Sequence, residues 1–301
     1  METCSHRRNV VNNLRLFAIV FRLAAIRPGT IPADHGDQAR AALFELIRHG
    51  DLPLASRLHD QNIQKPYTID LLQGGKRGKD SAIHFSEGDY ADWRFTVMQE
   101  PAFEALLRRY LLSQALPYVR VGAVKFAVTD AFTSGASHPA SGHVSITELQ
   151  ARWDCVPESL PERFALDFQS PTVFSLGTEP GSRERRWCAM PSAPILFSSL
   201  RKKWAFLGGA EPGDEFDQWV RECVEVEPHN LYSRTLMVER RPITGFLGRV
   251  SFRVRGDKRW LPLLHLLTDL TFWTGVGYQT TRGMGQVQRV IEENLSNHKT
   301  W

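Results

Sequence analysis

The sequence WLPLLHLLTDLTFWTGVGYQTTRGMGQVQRV, at residues 260–290, joins an apolar helix to a strand through a glycine-rich loop. Leucines recur at helical spacing across 263–270, and Pro262 suits the first turn of a helix. A strand is predicted over 283–290. A helix followed by a strand is the closing half of a split β-α-β unit. This segment therefore predicts the end of a mixed α+β domain.

The loop itself, GVGYQTTRGMG at 275–285, carries two glycine pairs that flank five residues, four of them polar. Glycine lets main-chain N–H groups approach a phosphate, and hydroxyl and guanidinium groups add donors. Nucleotide-binding glycine loops instead follow a strand and open a helix. The loop predicts contact with a nucleic-acid backbone, while a purely structural turn stays open. The candidate RNA-binding residues here are Gly275, Gly277, Thr280, Thr281, Arg282, Gly283 and Gly285.

Working outward, both halves of the chain follow the order β-α-β-β-α-β. The fold class predicted is α+β, with tandem ferredoxin-like (RRM-like) domains. The predicted domains are 1–135 and 161–301, and a junction spans 136–160. In the first half the predicted elements are strands at 15–23, 81–85, 93–97 and 118–129 and helices at 37–49, 52–59 and 101–113. In the remainder they are helices at 146–153, 194–206 and 260–274 and strands at 164–174, 232–238, 248–254 and 283–290.

The composition restricts the function classes. A chain of 301 residues with 42% hydrophobic residues can form two cores. No apolar run is long enough to span a bilayer and no signal peptide is evident, so we expect a cytoplasmic protein without a membrane partner. Its 4 cysteines form no CxxC pair, and neither a metal nor another cofactor is predicted.

Basic residues are concentrated in the second half, where residues 230–260 hold eight basic and two acidic residues. Charge segregated in this way suits a protein with one face on a polyanion, although an unevenly charged solvated surface remains open. The candidates for RNA contact in this run are Arg249, Arg253 and Arg255. Arg201, Lys202 and Lys203 come next.

The glycine-rich loop near the C-terminus and the helix before it resemble the Cas-six family of CRISPR repeat endoribonucleases. Three further segments agree with that resemblance, at 54–68 (LASRLHDQNIQKPYT), 167–174 (DFQSPTVF) and 243–254 (ITGFLGRVSFRV). The resemblance implies a protein that binds precursor CRISPR RNA and cuts it within the repeat. It further implies attack by the RNA's own 2′-hydroxyl, without a metal ion, leaving a 2′,3′-cyclic phosphate and a 5′-hydroxyl.

The same resemblance assigns catalytic roles. His59 matches a position for the acid/base, and Lys65 one for a group that stabilises charge on the scissile phosphate. Histidine titrates near neutrality, and lysine carries the charge that the transition state needs. Some family members have a tyrosine where this chain has Phe44, which cannot donate a proton. His49 and Tyr67 are possible auxiliary groups in its place.

One further histidine, His265, is predicted on the polar face of the last helix beside Thr268 and Asp269. Contact with RNA is possible there, but a structural role is the stronger interpretation.

Two other functions remain open at this stage. One is a catalytically inactive RNA-binding subunit of a CRISPR effector complex, which would need neither His59 nor Lys65. The other is an unrelated enzyme whose loop binds a small phosphate compound. CRISPR effector subunits are possible partners, and the chain is expected to be a monomer or a homodimer.

Overall fold

The computed structural model describes most of the chain. The described residues are 14–59, 64–79, 81–111, 117–179, 181, 184–227 and 229–290, with residues 59 and 109–111 described by their backbone alone. Within these ranges, no helix combines the length and the apolar character needed to cross a bilayer.

The first unit has a mixed set of strands and helices that follows the predicted order. Its core contains the apolar stripe of the first helix, including Leu43, Leu46 and Ile47. The elements are β1 (Arg15–Ala25), β2 (Gly29–Pro32), α1 (Gly36–Gly50), α2 (Leu52–His59), β3 (Tyr67–Ile69), β4 (Gln73–Gly74), β5 (Lys76–Arg77), β6 (Ala82–Phe85), β7 (Tyr90–Val97), α3 (Glu100–Leu111), β8 (Tyr118–Val121) and β9 (Val124–Phe132).

The main sheet of this unit has β1 at its centre. Its strands lie in the order β3-β7-β1-β9-β8, which is the ferredoxin-like arrangement. β1 is buried on both faces because Phe17 and Ile19 pack in the core of the first unit, whereas Leu16 and Ala18 belong to a core shared with the second unit. One face of the sheet therefore positions the second unit.

The second unit repeats the arrangement after a short connection. Its strands β14-β16-β11-β17 lie in the same relative order as the first four of the other sheet, with β15 also paired to β16. The elements of the junction are β10 (Gly142–Ser145) and α4 (Ile146–Ala151), and those of the second unit are β11 (Arg163–Thr172), β12 (Phe174–Thr178), β13 (Arg185–Cys188), α5 (Ala193–Phe206), α6 (Asp214–Cys223), β14 (Val224–Val226), β15 (Asn230–Val238), β16 (Arg241–Val254), α7 (Leu261–Thr274) and β17 (Val287–Arg289). The tandem ferredoxin-like α+β fold is confirmed.

The predicted junction contributes to the first sheet. β10 pairs with β1, with Arg15 opposite Ser145. Ser145 then begins α4 through a capping box with Glu148, which confirms the short helix predicted there. The domain limits 1–135 and 161–301 stay a prediction.

Some predicted elements are wrong in extent. The single strand predicted at 118–129 is a hairpin of β8 and β9, because Gly122 turns the chain with φ +57°. The strand predicted from residue 283 begins only at β17, since Gly283 and Gly285 have positive φ and belong to the loop.

Helix α6 was not predicted, although Phe216, Trp219, Val220 and Cys223 give it a buried stripe at helical spacing. The β12–β13 hairpin was not predicted either.

Polar contacts join the two units where α7 crosses the first sheet. Thr96 Oγ1 donates to the carbonyl of Trp273 at 2.7 Å, and Arg94 Nη2 donates to the carbonyl of Phe272 at 2.5 Å. The Arg94 guanidinium also lies 4.5 Å from the centre of the Phe272 ring. Both donors come from β7, so the end of α7 is held against the first unit immediately before the glycine-rich loop.

Candidate active site

A groove of about 740 Å³ opens between the two units beside the glycine-rich loop. One wall comes from α1 and the segment after α2, and the other from α5, β13 and the loop. Its lining includes six basic side chains and one acidic side chain, namely Arg40, Lys65, Arg185, Lys202, Lys203 and Arg282 against Glu239. A concave surface with this excess of positive charge attracts a polyanion.

Lys65 lies in this groove and is tied to the end of α2. Its ammonium group donates a hydrogen bond of 3.2 Å to the carbonyl of Leu58. Leu58 directly precedes His59. A cation at the C-terminus of a helix is favoured by the exposed carbonyls there. α2 ends at His59, whose side chain lies outside the described part of the structure, as do residues 60–63. The fold thus brings the ammonium group of Lys65 beside the backbone that carries His59.

Of the two proposed substitutes for a tyrosine at Phe44, only Tyr67 is connected with the groove. Its hydroxyl accepts from Nε of Arg40 at 3.0 Å, and its ring lies edge-on to Phe44 with centroids 5.5 Å apart. Tyr67 is buried, and burial raises the pKa of its hydroxyl. His49 instead donates from Nδ1 to the carbonyl of Glu45 and lines a separate small cavity.

The glycines of the loop are required by close main-chain contacts within the loop and with the segment between β11 and β12. A Cβ at Gly285 would lie 1.9 Å from the carbonyl oxygen of Val276, and one at Gly277 would lie 2.5 Å from that of Val173. Both glycines have positive φ. The loop is closed by a hydrogen bond of 2.7 Å from the amide of Val276 to the carbonyl of Gly285. The glycine pairs therefore form a rigid base, which presents the polar residues between them to the groove.

Arg282, one of those polar residues, is paired with carboxylates of other elements. Nε donates to Asp37 and Nη1 to Gln279, and Nη2 forms an ion pair with Glu239. Its side chain is only 14% exposed. Thr280 and Thr281 line the groove beside it. Arg282 thus connects the loop to α1 and to the β15–β16 hairpin, and its role in RNA contact stays a prediction.

Lys203 holds the start of the loop. Its ammonium group donates to the carbonyls of Thr274 and Gly275, both at 2.9 Å, where α7 ends. Burial lowers the pKa of this amine to about 7. Lys203 therefore adds a titratable cation to the wall of the groove and fixes the turn from helix to loop.

Other predicted RNA contacts lie elsewhere. Arg249 and Arg253 belong to β16, and Arg255 directly follows it. None of the three is among the residues that line the groove, and Arg255 is paired with Glu225 at 2.6 Å. Their contact with RNA stays a prediction that the groove does not support.

Arg201 is buried at 7% exposure and pairs with Asp217 and Glu211. The prediction that it contacts RNA is wrong, because its charge is used inside the second unit.

His265 is fully buried, so the predicted polar face of α7 is also wrong, and the structural interpretation holds. Its Nε2 donates to the carbonyl of Pro161 at 2.9 Å, and its ring stacks on Trp153. Burial and the nearby Arg289 lower its pKa to about 4. The imidazole is therefore neutral at physiological pH, and its role is structural packing in the core of the second unit.

Sequence reasoning missed Arg40, Gln64 and the role of Lys203. Arg40 was detectable, because it lies four residues before Phe44 and shares its helix face.

In the described part of the chain, no three His, Cys, Asp or Glu residues are grouped so that they could hold a metal ion.

Comparisons with known proteins agree with this architecture. The family model described as CRISPR-associated endoribonuclease Cas6 matches residues 166–287, which include the glycine-rich loop. A Cas6 endoribonuclease from Streptococcus thermophilus is 28% identical over 260 residues, covering 85% of this chain and 93% of the relative.

Solved structures show the same fold. A Cas6 product complex superposes with a TM-score of 0.73 at 24% identity, covering 92% of this chain and 100% of that one. A Thermus thermophilus Cas6 gives a TM-score of 0.67 at 22% identity, with 92% and 99% of the two chains covered. Fold and groove define a tandem ferredoxin-like protein with a basic cleft between its units. In sequence, the chain is similar to Cas6 endoribonucleases over its second unit and over most of its length.

Proposed function

We propose that this chain cleaves precursor CRISPR RNA within the repeat, as a metal-independent endoribonuclease. The observation that carries the proposal is the position of Lys65. Its ammonium group is bonded to the carbonyl before His59 and lines the same basic groove as the glycine-rich loop. The proposal also draws on the similarity to a Streptococcus thermophilus protein described as a CRISPR-associated endoribonuclease.

The chemistry needs no protein nucleophile. The 2′-hydroxyl of the RNA attacks the adjacent phosphorus, so that the O2′–P bond forms as the P–O5′ bond breaks. A base takes the 2′-hydroxyl proton, and an acid protonates the leaving 5′ oxygen. The products are a 2′,3′-cyclic phosphate and a 5′-hydroxyl. Positive charge at the phosphate stabilises the transition state.

In this scheme His59 is the acid/base, since an imidazole exchanges protons near neutral pH. Lys65 stabilises the charge that develops on the phosphate. Arg40, which lines the groove and is held by Tyr67, is placed to supply a second positive group where a tyrosine is replaced by Phe44. The glycine-rich loop and Lys202 would contact the flanking backbone.

Cleavage of the repeat RNA from the source organism, in EDTA, tests the proposal. One cut per repeat with a cyclic phosphate at the new 3′ end is expected. Binding without cutting would point to an RNA-binding subunit of a CRISPR effector complex. Dependence on an added divalent ion, or a linear 3′-phosphate formed directly, would overturn the mechanism. A cytoplasmic location and a monomeric or dimeric state stay predictions.

A further inference from the structure

Two aromatic rings and a guanidinium group meet at the rim of the groove, and the mechanism above leaves them without a role. The Trp187 and Tyr278 rings lie 4.9 Å apart between centroids, inclined at 58°. The guanidinium carbon of Arg185 lies 5.1 Å from the Tyr278 centroid and 5.7 Å from that of Trp187. These three residues are called the rim cluster below.

The rim cluster exposes apolar surface that a stable fold would otherwise bury. Trp187 is 41% exposed and lies on β13, in a two-stranded hairpin outside both main sheets. Tyr278 is fixed from behind, because its amide donates to the carbonyl of Val173 at 2.8 Å and its ring packs on a small core that includes Met284. The cluster is therefore a preorganised aromatic surface that faces solvent.

Two members of the rim cluster belong to the lining of the groove. Arg185 and Tyr278 both line the groove together with Lys65, and Tyr278 belongs to the glycine-rich loop. A positively charged groove with aromatic side chains along it is the usual arrangement for single-stranded nucleic acid, because bases stack on the rings while cations follow the backbone. Arginine adds a planar cation that stacks on rings and bases alike.

We propose that the rim cluster stacks an unpaired nucleobase of the RNA held in the groove. This inference rests on the proposed function and adds a base-binding subsite to it. Arg185 and Tyr278 line the same groove as Lys65, so we expect the stacked base on the strand segment held there, near the scissile phosphate. Stacking of this kind fixes the register of the RNA with little dependence on which base is present.

Leu176 on the β12–β13 hairpin and Met190 just after it are also exposed, and a protein partner would cover them. RNA is favoured because the cluster contains a cation and shares a lining of six basic side chains. A protein partner would require Trp187 for assembly and leave RNA affinity unchanged.

The test uses the repeat RNA made uncleavable by a 2′-deoxy substitution at its cut site. Dissociation constants are measured for the wild type, Trp187→Leu and Trp187→Phe. We expect Trp187→Leu to weaken binding roughly five- to hundredfold, and Trp187→Phe to recover most of the loss. Tyr118→Leu is the matched control, because Tyr118 is 43% exposed and carries Lys125 over its ring. It lies on β8 beside a separate small cavity, whereas the Trp187 ring contacts Tyr278 of the groove lining. Thermal unfolding verifies that each variant is folded.

A series of RNAs with one abasic nucleotide each identifies the stacked base. At one position near the cut, removal of the base should weaken binding to the wild type but not weaken binding to Trp187→Leu further. Equal affinity of Trp187→Leu and wild type for the intact RNA would overturn the subsite, while cleavage by wild type in EDTA would leave the proposed function standing. If the wild type binds no repeat RNA, both proposals fail.

Discussion

Nε of Arg282 lies 2.5 Å from Oδ1 of Asp37, and this contact joins the glycine-rich loop of the second unit to the first helix of the first unit. The two residues are 245 positions apart in the chain. Glu239, at the tip of the β15–β16 hairpin, pairs with the same guanidinium. The amide of Glu239 in turn donates to Asp37 at 3.2 Å. Three elements from two units therefore meet at one arginine on the wall of the groove.

Loss of the Arg282–Asp37 contact should lower the free energy of unfolding, and the effects of replacing the two residues should not be additive. In a double-mutant cycle, Arg282→Met and Asp37→Asn should show an interaction free energy of about 1 kcal/mol, because the arginine is largely buried but its partners are half exposed. Urea unfolding of the four proteins measures it. Strictly additive effects would mean that the pair contributes nothing to joining the units.

The glycine at position 285 should be far less replaceable than a glycine with a similar backbone elsewhere. Gly285→Ala combines positive φ with a Cβ 1.9 Å from the carbonyl of Val276, whereas Gly208→Ala has positive φ and nothing within 4 Å. The control should lose about 1 kcal/mol of unfolding free energy from backbone strain alone. Gly285→Ala should lose at least about 2 kcal/mol more and bind RNA more weakly. Equal losses, measured by urea unfolding, would show that the loop relaxes freely.

Stability should depend on pH through Lys203. The pKa of its amine is 10.5 ordinarily and about 7 in the folded chain. Between these values the unfolded chain holds a proton that the folded chain lacks, so the free energy of unfolding rises with pH. Below about pH 7 both states are protonated, and the cost of burying the charge is present in full.

Lys203→Met should remove that rise between pH 7 and 10, whereas Lys202→Met, at the exposed neighbour, should retain it. Chemical unfolding at several pH values compares the two variants with wild type. The same slope in Lys203→Met and wild type would contradict a depressed pKa at this site.

Replacement of Lys65 should impair cleavage more than binding. Lys65→Met removes the charge opposite the phosphate and should lower the single-turnover rate on the order of 10²- to 10³-fold. Lys65→Arg keeps a cation and should recover part of that loss. Lys202→Met, at another lysine of the groove, should weaken binding with little change in the rate at saturation. If Lys65→Met behaved like Lys202→Met, Lys65 would be a backbone contact only.

The sequence predicted the fold better than the site. Periodicity located β1, α1 and α7 because each buries an apolar pattern of its own, and the order of elements then limited the topology. Helix α6 was not predicted, because acidic residues alternate with its short apolar stripe at Phe216 and Trp219. The turn at Gly122 divides a pattern that reads as one continuous strand.

Within the site, Lys65 and the glycine-rich loop were predicted, and the structure brings both to one groove. The partners of Arg282 and the carbonyl contacts of Lys203 were not predictable, since they join residues far apart in the chain. The basic composition of a run such as Arg249 to Arg255 does not predict which surface of the fold its side chains occupy. The rim cluster depends on an unpredicted hairpin, so its aromatic residues had no context in the sequence.

The most direct test of the account is the single-turnover cleavage rate of the repeat RNA in EDTA, measured for wild type, His59→Ala and the control His49→Ala. We expect His59→Ala to cut at least about a hundredfold more slowly while binding RNA as tightly as wild type, because a general acid/base contributes that much. His49→Ala, whose side chain lies outside the groove, should cut at the wild-type rate. Cleavage by His59→Ala within a few-fold of wild type would contradict the central claim.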